Sequence, residues 1–184
     1  MARVPELRPE QLTEHQRELA AELGSSRGGG VETGGPWGLL LRNVELCERA
    51  GRFGTMLRDS TSVPKRLSEI AIAVTARYWT ADFEWYAHAP KALLAGVSGQ
   101  VIEAIRERQR PLFEHKDEEA VYDFVTELYE KKLVSAPTYR ALVGHIGATG
   151  AIELTAIAGF YSTVAMLIVA FEVELPRGVA RPFA

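Results

Sequence analysis

The chain has 184 residues, a formal net charge of −3 and an isoelectric point near 5.9, which suits a single domain with a core of its own. Hydrophobic residues make up 47% of it and charged residues 24%, as in ordinary soluble globular proteins. The acidic balance argues against a nucleic-acid-binding surface, and the single cysteine, Cys47, excludes an intrachain disulfide, a CxxC pair and a cysteine-rich zinc site. The N-terminal residues lack the apolar core of a signal peptide, so we expect a cytoplasmic location.

The first 35 residues are predicted to form an N-terminal arm rather than core. Residues 13–23 have the pattern of a polar, weakly amphipathic helix. The segment 24–36 has six glycines in thirteen residues, which is typical of a flexible loop. A helical domain is expected over residues 36–176, followed by a tail over 177–184.

The domain is predicted to be all-α, because apolar residues recur at helical spacing and no alternating strand pattern of useful length is present. Together with the arm helix this makes about seven or eight helices. Those of the domain are expected over 44–58, over 64–79, from Thr80 or Asp82 to Gly96, after Ser98, after Lys116 or Asp117, after Ser135, and from about residue 151 to 173.

The last of these helices contains 18 residues without a charge, 154–171, which is close to the length that spans a bilayer. It also contains polar residues, and Glu153 and Glu172 lie at its two ends. We therefore expect a buried core helix or subunit-interface helix, and no association with a membrane.

Glu69 lies in an unusual position on the helix predicted over 64–79. Its neighbours at i+3, i+4 and i+7 are Ile72, Ala73 and Ala76, whereas a solvated glutamate usually lies among polar residues. A lone buried charge is costly unless it has a partner. His88, on the next predicted helix, is the nearest candidate.

The segment FEWYAHA, 83–89, places Glu84 and His88 four residues apart on one helix face. Partial burial among aromatic residues would bring both pKa values toward neutrality, where proton transfer is efficient. The alternatives are a salt bridge with only a structural role and a metal site. A metal is not expected, because the second histidine of an HExxH motif is missing.

The segment RLSEIAIAVTARYWTADFEWYAHAPKALLAGVS, 66–98, resembles the carboxymuconolactone decarboxylase family, which includes alkyl hydroperoxidase D-like proteins. The matching pattern is Arg-Leu-x-Glu-Ile-Ala-Ile, then Glu-Trp-x-x-His, then Ala-x-x-x-Gly-x-Ser. GPWGLLLRN at 35–43 and IELTAIAGFY at 152–161 extend the resemblance over most of the chain.

The resemblance implies an alkyl hydroperoxidase D-like helical bundle that forms homo-oligomers, as a trimer or hexamer or else as a dimer. It implies that Glu69 and His88 face one another across adjacent helices. In the peroxidase branch a CxxC pair would occupy positions 81 and 84, which are alanine and glutamate here. Thiol peroxidase activity is therefore not expected.

The resemblance favours a cofactor-free, decarboxylase-like lyase acting on a small carboxylated lactone or a related intermediate of aromatic-compound catabolism. His88 is the candidate acid or base, Glu69 orients it and Glu84 assists. The candidate substrate-binding residues are Arg66, Arg77, Trp85 and Tyr161. The alternative is a non-enzymatic oligomer of the same family that binds a small ligand.

Overall fold

The computed structural model describes residues 2–25 and 33–183, and within these it contains eight α-helices and no strand. The predicted all-α fold class is thus confirmed. The helices are α1 Glu14–Ser25, α2 Gly35–Leu40, α3 Val44–Asp59, α4 Lys65–Trp79, α5 Asp82–Leu94, α6 Gly99–Arg106, α7 Lys116–Lys131 and α8 Ala136–Ala170. A single 3₁₀ turn, Pro9–Gln11, precedes α1.

Helix α4 is the centre of the bundle. Every residue from 67 to 76 is buried, because α5, α6, α7 and α8 all pack against it. A helix that is apolar all round is expected to lie inside a protein. Glu69 is the charged residue in this buried stretch, and none of its surface is exposed.

Helix α8 consists of two helical parts that meet at Gly147, whose φ of 71° and ψ of 174° lie outside the helical region. The sequence predicted a separate short helix followed by a long one, and this break lies between them. By length and composition α8 is the one helix in the described part of the chain that could cross a membrane, and 50% of its most apolar window is buried in the protein.

Helix α1 contributes to a second, smaller core. Leu19, Ala20 and Leu23 on α1 are buried together with Leu40 and Cys47. The predicted arm helix is therefore packed against the domain, since a short apolar stripe among polar residues can still be buried by a neighbouring helix. Residues 26–32, most of the predicted glycine-rich loop, lie outside the described residues.

A two-residue connection joins α4 to α5. Thr80 adopts a left-handed conformation at the end of α4, with φ of 54°, and the amide of Ala81 donates to the carbonyl of Ala76. So short a connection makes the two helices antiparallel neighbours. Glu69 and His88 then both lie about two to three turns from it, at similar heights along the bundle.

The C-terminal tail packs against the start of α5. The Arg181 Nε donates to Asp82 Oδ2 at 2.7 Å, and the Phe183 amide donates to the other carboxylate oxygen at 3.3 Å. The Phe183 ring lies edge-on to Trp85, with centroids 5.1 Å apart. The tail thereby fixes the first turn of the helix that carries Glu84 and His88.

Candidate functional site

Glu69 and His88 form a buried hydrogen-bonded pair. His88 Nδ1 lies 2.8 Å from Glu69 Oε2, and both residues are less than 10% exposed. Lys65, one turn before Glu69 on α4, places its Nζ 3.6 Å from the other carboxylate oxygen. The sequence-based expectation that Glu69 has a partner on the next helix is what the geometry shows.

The protonation states follow from this geometry. Burial lowers the pKa of His88 more than the hydrogen bond to Glu69 raises it, so the imidazole is neutral at pH 7. Burial alone would raise the pKa of Glu69, but the hydrogen bond from His88 and the charges of Lys65 and Lys91 together hold it below its usual range. Neutral His88 thus donates from Nδ1 to a carboxylate, and its Nε2 keeps a lone pair.

Glu84 differs from Glu69 in its hydrogen bonding and in the direction of its pKa shift. It is 2% exposed, and neither carboxyl oxygen has a hydrogen-bond partner in the described part of the chain. Burial raises its pKa well above the ordinary value of 4.5, which favours the protonated carboxyl group. Glu84 lies one helical turn before His88 on α5, so the two side chains share one face.

Glu84 and His88 line one cavity of about 170 Å³, which we call the His88 cavity. Its apolar walls come from α2, α5 and α8 and are formed by Pro36, Trp37, Phe83, Ala87, Phe160, Val164 and Ile168. An engineered apolar cavity of about 150 Å³ holds benzene, so this cavity fits a ligand of one small ring.

Two cations also line this cavity, Arg58 on α3 and Lys91 on α5. Helix α3 approaches α8 closely at Gly54, where an added Cβ would come within 2.7 Å of the Phe160 ring, and Arg58 follows one turn later. Tyr161 lies between the acid–base pair and Arg58. The centroid of its ring is 4.8 Å from that of the His88 ring, and the positive charge of Arg58 acts on its hydroxyl.

Burial raises the pKa of Tyr161, so its hydroxyl is neutral and can donate. Of the seven residues predicted for the site, the structure places Glu84, His88 and Tyr161 in the wall of the His88 cavity and Glu69 directly behind His88. The arrangement combines a neutral base, a protonated acid and two cations around one small apolar space.

The structure does not bring Arg66, Arg77 or Trp85 to this cavity. Arg66 is ion-paired with Asp117 and Glu118 on α7. Arg77 Nε donates to the carbonyl of Arg106 at 2.6 Å, and its guanidinium lies over the Phe183 ring. Trp85 packs in the core against the same ring.

Sequence reasoning did not identify Arg58 and Lys91. Lys91 had a usable signal, because it is three residues after His88 and seven after Glu84 and therefore shares their helix face. Arg58 had none, since it comes from a helix whose position relative to α5 depends on the tertiary fold.

In the described part of the chain, no three histidine, cysteine, aspartate or glutamate side chains are grouped so that they could hold a metal ion. The single cysteine, Cys47, is buried in the second core and is not part of the cavity wall.

No protein-family model matches the chain. No curated protein matches its sequence. Solved structures do resemble it. The apo debrominase Bmp8 has a TM-score of 0.74 at 13% identity, covering 94% of this chain and 91% of its own.

A second neighbour is a protein of unknown function from Agrobacterium tumefaciens that has been suggested to be the antioxidant defence protein AhpD. Its TM-score is 0.62 at 16% identity, covering 73% of this chain and 93% of its own. The chain therefore has the alkyl hydroperoxidase D-like helical fold, as predicted. At these identities the likeness shows the fold alone.

Proposed function

We propose that the protein is a cofactor-free acid–base enzyme that acts on a small carboxylated substrate, and that decarboxylation of a lactone or a related unsaturated acid is its reaction. The observation that carries the proposal is that His88, hydrogen-bonded to Glu69, and Glu84, without a partner in the described residues, lie in the wall of one cavity, where burial lowers the pKa of His88 and raises that of Glu84. Such a pair is suited to proton transfer near neutral pH.

Decarboxylation fits this pair without a cofactor. As the carbon–carbon bond to the carboxylate breaks, its electron pair moves into the conjugated lactone and carbon dioxide leaves. The resulting enolate carbon takes a proton from the Glu84 carboxyl group, and the Glu84 carboxylate then regains a proton from solvent. His88 Nε2 can remove a substrate proton where the reaction also shifts a double bond, and Glu69 holds the required tautomer.

The cations account for recognition of a carboxylated substrate. Arg58 and Lys91 can pair with substrate carboxylates, and the neutral Tyr161 hydroxyl can donate to a lactone oxygen. The apolar wall excludes water from the carboxylate that departs, which lowers the barrier to its loss. One small ring fills the cavity, and larger fused-ring acids do not fit.

The activities named for the two structural neighbours, debromination and antioxidant defence, are different from each other. A thiol mechanism is not proposed for this chain, because alanine and glutamate stand at positions 81 and 84 and Cys47 lies in the second core.

The test is a panel of small unsaturated lactone acids and muconate derivatives, read by ultraviolet absorbance and by release of carbon dioxide. We expect turnover of at least one compound, and a loss of about 10²–10⁴-fold in His88→Gln. Arg140→Gln, on the exposed first part of α8, is the matched control and should retain full activity. Binding without turnover by any compound would instead favour a ligand-binding protein and contradict the proposal.

We further propose that the protein acts as a homo-oligomer, a trimer or hexamer or else a dimer. Large apolar side chains are exposed on several helices, among them Leu46, Phe53, Met56, Leu94, Ile152 and Met166. Surfaces of this kind mark interaction sites. A stable monomer in light scattering at micromolar concentration would contradict this assembly.

A further inference from the structure

A second cavity lies between α4, the end of α6 and α7, and shares no lining residue with the His88 cavity. Its volume is about 220 Å³. Tyr78, Tyr122 and Tyr129 form its aromatic part, and Arg77 and Arg108 provide two guanidinium groups. We call it the Arg77 cavity.

The two guanidinium groups converge on one neutral oxygen. Arg77 Nη1 and Arg108 Nη2 both donate to Thr80 Oγ1, at 3.3 and 3.1 Å. Arg77 Nε donates to the carbonyl of Arg106. Arg77 also lies over the Phe183 ring. The hydrogen bonds that these two groups donate thus go to uncharged oxygens, and the two positive charges lie close together.

This proximity has an energetic cost. Burial and then the charge of Arg108 lower the pKa of Arg77, and the nearby Arg106 acts in the same direction, against Glu107 and Asp82. Arg108 also has a left-handed backbone with φ of 57°, a conformation that non-glycine residues rarely adopt. An anion placed between the two guanidinium groups would offset the repulsion with charge-assisted hydrogen bonds.

The remaining wall limits the kind of anion. Val74 and Ile105 join the three tyrosines, so most of the cavity suits an apolar or aromatic body rather than a hydrated inorganic ion. Glu130 also lines the cavity, and its negative charge disfavours a ligand with two carboxylates. One small ring with a single carboxylate satisfies both conditions.

We propose that the Arg77 cavity is a second ligand site, which binds a small aromatic monocarboxylate through Arg77 and Arg108 with its ring against the tyrosines. The site is independent of the acid–base pair and does not depend on the function proposed above.

The probes are benzoate, 4-hydroxybenzoate, the neutral analogue benzamide, the dianion terephthalate and inorganic phosphate. Binding is measured by ligand-observed NMR and isothermal titration calorimetry on the full chain. We expect the two monocarboxylates to bind more tightly than benzamide, terephthalate and phosphate. Arg108→Gln should weaken their binding about tenfold or more, because it removes charge-assisted hydrogen bonds to the ligand carboxylate.

Arg58→Gln is the matched control, because it removes a cation from the His88 cavity and leaves the Arg77 cavity unchanged. It should not affect the Arg108-dependent binding. Equal binding of benzamide and benzoate would overturn the role of charge. A correctly folded Arg108→Gln variant with an unchanged dissociation constant for benzoate would overturn the assignment to the Arg77 cavity. Benzoate binding that is weakened by Arg58→Gln and not by Arg108→Gln would place the ligand in the His88 cavity instead and overturn the same assignment.

Discussion

Replacing Glu84 by glutamine should raise stability and lower activity at the same time. In the wild-type protein the folded state holds the Glu84 proton above pH 4.5, the pH at which an unfolded glutamate releases it. Unfolding then releases a proton, so the free energy of unfolding falls as pH rises from 4.5 to the raised pKa of the folded state. Below pH 4.5 both states are protonated, and no pH dependence arises from this group.

The size of the effect follows from proton linkage. One retained proton changes the free energy of unfolding by about 1.4 kcal/mol for every pH unit in this window. Glutamine has the same shape and does not titrate. The difference in unfolding free energy between Glu84→Gln and the wild-type protein should therefore grow with pH at about that slope, because contributions from all other groups cancel.

The assay is urea denaturation followed by circular dichroism at pH 5, 6, 7 and 8, with turnover measured on the same samples. Glu114→Gln, which replaces an exposed glutamate in the loop between α6 and α7, is the matched control for the loss of one carboxyl group. Parallel stability curves for Glu84→Gln and the wild-type protein would refute the reasoning that Glu84 is protonated and unpartnered. A stabilised variant with full activity would leave that reasoning intact and refute the catalytic role.

Three further predictions follow from the same geometry. The pH dependence of kcat/KM should be bell-shaped, falling at low pH through a His88 pKa below 6.5 and at high pH through the raised pKa of Glu84, and Glu84→Gln should remove the alkaline limb if it retains measurable turnover. Phe183→Ala should lower the free energy of unfolding by about 1–2 kcal/mol through lost contact with Trp85, and unchanged thermal unfolding would show that the tail does not support α5. Cys47→Ala should retain turnover per folded molecule, and a large loss would indicate a thiol mechanism that the structure does not support.

The central acid–base pair could be predicted because its signals are local. Glu69 lies among apolar neighbours. Only two residues connect its helix to the helix of His88, and so short a connection makes the two helices antiparallel neighbours. Helix caps are local in the same way, and the side chains of Ser98 and Ser135 accept from the amides three residues later, as expected for caps.

The cations could not be assigned correctly because their partners are distant in sequence. Arg66 is three residues before Glu69, which suggested a carboxylate clamp, yet the bundle turns it toward Asp117 and Glu118 on α7. Arg58 reaches the cavity only because α3 packs closely against α8 at Gly54. Helical spacing fixes the face on which a residue lies, and tertiary packing decides what that face meets.

Burial of the Glu69 and Glu84 carboxyl groups lowers the free energy of unfolding, and this cost helps to distinguish a catalytic role from a structural one. The Glu69 carboxylate is fully buried beside the neutral His88, and burial of a charge costs free energy that one hydrogen bond offsets only in part. The Glu84 carboxyl group is buried without any hydrogen-bond partner in the described residues, which costs desolvation energy with no local return. A structural salt bridge would give Glu84 a partner, whereas a proton donor for an incoming ligand must keep its hydrogen-bonding groups available until the ligand arrives. The orphaned carboxyl group therefore favours the catalytic interpretation of Glu84 and His88 over the structural one.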